Sequence, residues 1–75
     1  MENQIENILI FATNIKTETD KLTISSVLNK NSDILQWSLD QEDIDCVLRI
    51  VSETLSEEQI TDILDNQNFE CKALE

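Results

Sequence analysis

Two stretches of this chain open in the same way, and together they restrict what it can fold into. Thr17-Glu18-Thr19-Asp20 and Ser56-Glu57-Glu58-Gln59 each place a hydroxyl side chain three residues ahead of an acid or an amide. A hydroxyl in that position accepts from a backbone N–H that the first turn of a helix leaves free. The second stretch is a full capping box, with Leu55 set to staple onto Ile60 across it. Apolar residues then recur at helical spacing, as Ile24, Val27 and Leu28 in one case and Ile60, Ile63 and Leu64 in the other. The spacing predicts helices over 17–30, closed by Asn31 where a glycine is usual, and over 56–67. Thr17 answers Ser56 and Ile24 answers Ile63, an offset of 39 in both cases.

The segments around these helices read as strands. Residues 7–13, N-I-L-I-F-A-T, form a β-branched and aromatic run of strand length. Residues 34–40, I-L-Q-W-S-L-D, alternate, with Leu35, Trp37 and Leu39 on one side. Gln41 to Ile44 make a polar connection, and 45–51 read as the next strand, so the pair is a hairpin with a four-residue loop. Residues 69–74 supply a last short strand. The order β-α-β-β-α-β is the split, ferredoxin-like α+β arrangement: a four-stranded antiparallel sheet with both helices on one face. At this length one domain over 1–75 is expected.

Strand parity sorts the sheet into two faces. Ile8, Ile10 and Ala12, then Leu35, Trp37 and Leu39, then Cys46, Leu48 and Ile50, and finally Phe69, Cys71 and Ala73 are expected toward the helices. Arg49, Glu70 and Lys72 then fall on the open face, together with Leu9, Phe11, Val47, Val51 and Leu74. That apolar strip across three adjacent strands is the candidate interface, for a protein partner or for a homodimer joined sheet to sheet. Trp37 is read as core, with an edge-strand anchor for a partner as the alternative.

Composition narrows the function. There is no Gly, so neither a P-loop nor a dinucleotide fingerprint is present, and no His, so the common nucleophile pairs and His-based zinc sites are excluded. Five basic against sixteen acidic side chains give a net charge of −11, which argues against nucleic acid and against anionic membranes. Nine Leu, ten Ile, three Val and two Phe make 24 of 75 residues, too many for a disordered chain. No apolar run is long enough to span a membrane, and no basic-then-apolar leader opens the sequence. With two widely spaced cysteines rather than a disulfide framework, a cytoplasmic protein is expected.

In this order of elements the sequence resembles the heavy-metal-associated domain of copper chaperones and metal-pumping ATPases. That family runs from a strand into M-x-C-x-x-C at the first helix, with Gly-Val opening the second strand and Gly-Tyr the last. Ile24 and Leu28 match the family's helix positions, Asp33-Ile34 stands for Gly-Val and Asn68-Phe69 for Gly-Tyr. The resemblance then places the two metal-binding cysteines on Thr17 and Asp20, and the methionine on Ile15. Neither thiolate is present, and a hydroxyl with a carboxylate is a poor substitute for a soft ion. An ordinary helix cap accounts for both residues.

Cys46 and Cys71 are the other conceivable ligands. Both are expected at the sheet end that carries the first helix start, on strands flanking the first strand from opposite sides. About two strand spacings would part them, roughly 9–10 Å, too far for a disulfide or a shared ion. They read as buried thiols. The acidic run Asp40-Gln41-Glu42-Asp43-Ile44-Asp45 lacks the glycine and distal glutamate of a calcium loop and reads as a solvated hairpin tip. No catalytic constellation and no cofactor are implied. The expectation is a non-enzymatic interaction module whose acidic surface steers toward a basic partner. The alternative is weak or atypical metal binding at the acidic hairpin end with Cys46 or Cys71.

Overall fold

In a computed structural model, which describes residues 7–74, both helix starts form as the sequence sets them out. Thr17 Oγ1 accepts from the Asp20 N–H at 3.0 Å and opens α1, Glu18–Lys30. Ser56 Oγ accepts from the Gln59 N–H at 3.2 Å while Gln59 Oε1 accepts from the Ser56 N–H at 2.9 Å, which opens α2, Glu57–Asn66. Leu55 and Ile60, on either side of that box, are both buried. The caps are offset by 39, but the buried pairs, Ile24 and Leu28 in α1 and Ile60 and Leu64 in α2, are offset by 36. Three residues are roughly 300° of helix, close to a full turn, so both helices still present similar faces from similar starts.

The strands are β1, Asn7–Thr13; β2, Ile34–Asp40; β3, Val47–Ser52; and β4, Cys71–Ala73. They form one antiparallel sheet in the order β2-β3-β1-β4, which completes the α+β, ferredoxin-like βαββαβ fold. Residues 1–6 and 75, the ends of the expected 1–75 domain, lie outside the described residues. Among the described residues no helix is long and apolar enough to cross a membrane.

Two backbone positions shorten the strands relative to expectation. Cys46 has φ 46° and Asn68 φ 66°, both in the left-handed region that a glycine would ordinarily take. β3 therefore begins at Val47 rather than Asp45, and the hairpin loop runs over 41–46. At Asn68 the chain closes a Schellman motif. The Phe69 N–H donates to the Leu64 carbonyl at 3.0 Å and the Asn68 N–H to the Asp65 carbonyl at 2.9 Å. Phe69 then packs on the core ahead of β4 instead of pairing within it.

The core consists of Phe11, Ile15, Ile24, Leu28, Leu48, Ile50, Leu55, Ile60 and Leu64, with Leu9, Ile34, Trp37 and Leu39 packed against it. This corrects the parity expected for β1. Leu9 stands opposite Ile50 and Phe11 opposite Leu48, and directly opposed residues share a face. Leu48 and Ile50 meet the helices, so Leu9 and Phe11 do too, and Ile8 and Ile10 take the open face. Because residues 8–12 are all apolar, no alternation marks the outer side of β1, and the pairing register decides it. Leu35 is a second correction. A ladder irregularity between Ile34 and Gln36 sends it out to 54% exposure and puts Ile34 into the core. Trp37 packs on the core as expected, and its indole Nε1–H donates to Asn29 Oδ1 of α1 at 2.9 Å.

One polar side chain is wholly buried among the described residues. Ser52 Oγ donates to the Asp33 carbonyl at 2.7 Å and accepts from the N–H groups of Thr54 at 3.2 Å and Leu55 at 3.0 Å. All of its hydrogen-bonding capacity is used, which is what burial demands. It fastens the start of β2 to the turn that leads into α2.

Candidate functional site

Three segments meet at the end of the sheet where β1 runs into α1. The β1–α1 connection is tied to the hairpin loop by Gln41, whose Nε2 donates to the carbonyls of Thr17 at 3.0 Å and Ile15 at 3.3 Å. Asn14 ties it to the approach of β4, donating its N–H to the Glu70 carbonyl at 3.2 Å and accepting the Glu70 N–H on Oδ1 at 2.9 Å. The hairpin acids are engaged locally. Asp40 Oδ1 accepts from the Glu42 N–H at 3.1 Å and Asp43 Oδ1 from the Asp45 N–H at 2.9 Å, side-chain turns that shape the loop. Their carboxylates do not converge, and among the described residues no three His, Cys, Asp or Glu side chains gather where an ion would sit.

Cys46 and Cys71 lie on opposite sides of β1. Thr13 pairs with Cys71 in the β1–β4 ladder, and its Oγ1 donates to the Cys46 carbonyl at 2.7 Å on the other flank. Both cysteines are free. The Cys46 side chain is buried. Cys71 is half-buried, and its thiol donates to Thr61 Oγ1 at 3.6 Å. Burial pushes that thiol above its ordinary pKa, the Thr61 contact offsets part of the push, and Asp65 adds a smaller one in the upward direction. A thiol held protonated is a weak nucleophile and a weak metal ligand.

Thr17 and Asp20 cap α1, so the Thr17 hydroxyl oxygen is already accepting a backbone N–H. Ile15, the residue that the resemblance sets against a methionine, is fully buried. A hydroxyl and a carboxylate do not fit a soft metal ion.

The second candidate surface is the sheet face turned away from the helices. Val47, Val51 and Leu74 are on this face, whereas Leu9 and Phe11 are in the core and their places are taken by Ile8 and Ile10. Ile8 is 59% exposed and Leu74 37%. Across the ladders, Gln36 stands opposite Val51 and Val51 opposite Ile8. The next row is Ser38, Arg49, Ile10 and Leu74, and the last includes Asp40, Val47, Ala12 and Lys72. A shallow hollow of about 240 Å³ opens between β2 and β3, lined by Gln36, Ser38, Arg49 and Val51 together with Trp37. The hollow is not legible from parity alone, because the β2–β3 register brings its members side by side.

This fold, with its β1–α1 loop and hairpin at one end, is that of a ferredoxin-like α+β domain. The crystal structure of oxidized MerP from Ralstonia metallidurans CH34 superimposes with a TM-score of 0.80 over 95% of this chain and 100% of that one, at 7% identity. At that identity the likeness is one of fold. No protein-family model matches the chain, and no curated protein matches it.

Proposed function

We propose that this chain is a single-domain, non-enzymatic protein-interaction module built on a heavy-metal-associated-like fold without that fold's metal ligands. The observation that carries the reading is the open face of the sheet. Ile8, Ile10, Val47, Val51 and Leu74 make a solvent-facing apolar strip across β3, β1 and the residue that follows β4, with no element of the described chain packed over it. Contiguous apolar surface of this kind marks interaction sites. The −11 charge steers approach toward a partner with a basic surface. Two unpaired thiols fit a reducing compartment, and we assign the protein to the cytoplasm on that ground.

Two titrations followed by amide shifts test the reading. In dilute isopropanol, a probe for sticky apolar surface, shifts should cluster on Ile8, Ile10, Val47, Val51 and Leu74, and a scatter over the whole surface counts against docking there. With reduced protein and Cu(I), Zn(II) or Ca(II) in turn, residues 17–20 and 41–46 should stay unmoved. Site-specific shifts there at micromolar metal overturn the metal-free assignment.

A further inference from the structure

The open face differs in charge from the rest of the molecule. By ladder register its cations are Arg49 and Lys72, and its anions are Asp40 and, one position before β4, Glu70, so the face is near neutral whereas the chain as a whole is strongly acidic. Arg49 holds the middle of the face, exposed, with Ser38 on one side of it and Ile10 on the other. It lines the 240 Å³ hollow with Gln36 and Ser38, so a guanidinium, an amide and a hydroxyl border one recess whose wall includes Val51. All three can donate, and a planar guanidinium matches the two oxygens of a carboxylate. Asp40 lies diagonal to Arg49 across the β2–β3 ladder, a separation of about 7–8 Å for such neighbours, and is the internal competitor for that charge.

The geometry points to a carboxylate-binding hollow on the open face, built from Arg49, Gln36 and Ser38. It takes an Asp or Glu side chain presented by a partner protein among apolar residues that cover Ile8, Ile10, Val51 and Leu74. This rests on the docking role proposed for the same face and names its partner's contact chemistry. The −11 field and the hollow act at different ranges: the field selects for a partner basic overall, and the hollow selects for one carboxylate at the point of contact.

A second copy of the chain is the poorer occupant. Four strands by three rows of side chains cover on the order of 400 Å², about half of the roughly 800 Å² per partner that a stable interface buries. A two-fold sheet-to-sheet pairing would also bring the central Arg49 close to its own copy and bury like charges together. A charged anchor ringed by small apolar contacts suits a modest, transient interface.

The test uses the whole chain, isotope-labelled, and three soluble synthetic peptides that alternate Val and Ser around a central Glu, Gln or Lys. The Glu peptide should give saturable shifts at Gln36, Ser38, Arg49 and Ile10. The Gln and Lys peptides, and the Glu peptide on Arg49→Gln, should bind at least about tenfold more weakly, the effect of losing a charge-assisted pair. Asp40→Asn, which removes the competitor, should tighten binding of the Glu peptide. Equal binding of all three peptides at this face overturns the carboxylate assignment while leaving the docking role intact. Concentration-dependent dimerisation that Ile10→Asp abolishes makes a second copy the occupant and also overturns it. Peptides that leave the face unmoved, together with a scattered isopropanol map, overturn both readings. Arg49 is exposed, so Arg49→Gln should keep the native amide spectrum away from the hollow.

Discussion

Phe11 stands directly opposite Leu48 in the β1–β3 ladder, and both side chains are wholly buried against the helices. That pairing holds the centre of the sheet to the helical layer. Phe11→Ala should cost about 3–5 kcal/mol, through lost burial and the cavity left behind. Ile10→Ala, one residue along and facing out, should cost well under about 1 kcal/mol. Urea denaturation of both variants checks the contrast; similar losses would contradict the assigned face.

Ser52 serves three partners with one hydroxyl, and its removal strands all of them. Ser52→Ala leaves the Asp33 carbonyl and the N–H groups of Thr54 and Leu55 without that wholly buried oxygen, and the Leu55 N–H in a buried position. Unsatisfied buried groups cost about 1–3 kcal/mol, so a drop of that order is expected in the denaturation midpoint analysis. The loss should be accompanied by faster amide exchange at Leu55.

Asn68 occupies the left-handed position that ends α2. Asn68→Gly should leave stability unchanged or raise it slightly, since glycine takes that conformation without a steric penalty. Asn68→Val should lower stability by about 1–2 kcal/mol, because a branched side chain crowds the following carbonyl. Thermal unfolding of the two variants should move in opposite directions or leave only Val affected; a destabilised Gly variant would count against the cap.

The raised pKa of Cys71 has a signed consequence for stability. The folded state holds the proton more tightly than the unfolded chain, whose thiol titrates near its ordinary 9.0. This contribution is therefore complete below pH 9 and is lost as pH rises through the folded value. Urea midpoints should fall between pH 8 and pH 10.5 more steeply for wild type than for Cys71→Ala. Parallel slopes would show that the thiol carries none of the dependence. Alkylation of native protein at pH 8 should also be slower than that of the unfolded chain.

Both helices were legible because their signals are local. A hydroxyl three residues ahead of its partner N–H specifies its own hydrogen bond, as at Thr17 and Ser56, whatever the rest of the chain does. The order of elements followed, and with it the fold and the placement of Val47, Arg49 and Val51. The outward side of β1 was not legible. Five consecutive apolar residues carry no alternation, and only the long-range partnership of Phe11 with Leu48 selects a side. Leu35 was misplaced for a related reason, since the ladder irregularity beside it has no local marker in a segment without glycine. The hollow around Arg49 is further from the sequence again. Gln36 and Ser38 look like ordinary solvent-facing strand residues until register sets them next to a guanidinium.

The placement of β1 between Cys46 and Cys71 makes that strand an insulator between two thiols. An oxidant cannot close a ring within one molecule, because Thr13, paired with Cys71 on one side and bonded to the Cys46 carbonyl on the other, fills the gap. Oxidation must instead go outward, through the half-buried Cys71, and either cap that sulfur or join two molecules through it, while the buried Cys46 stays reduced. On a non-reducing gel this protein should therefore show monomer and dimer but no compacted monomer, and Cys71→Ser alone should remove the dimer.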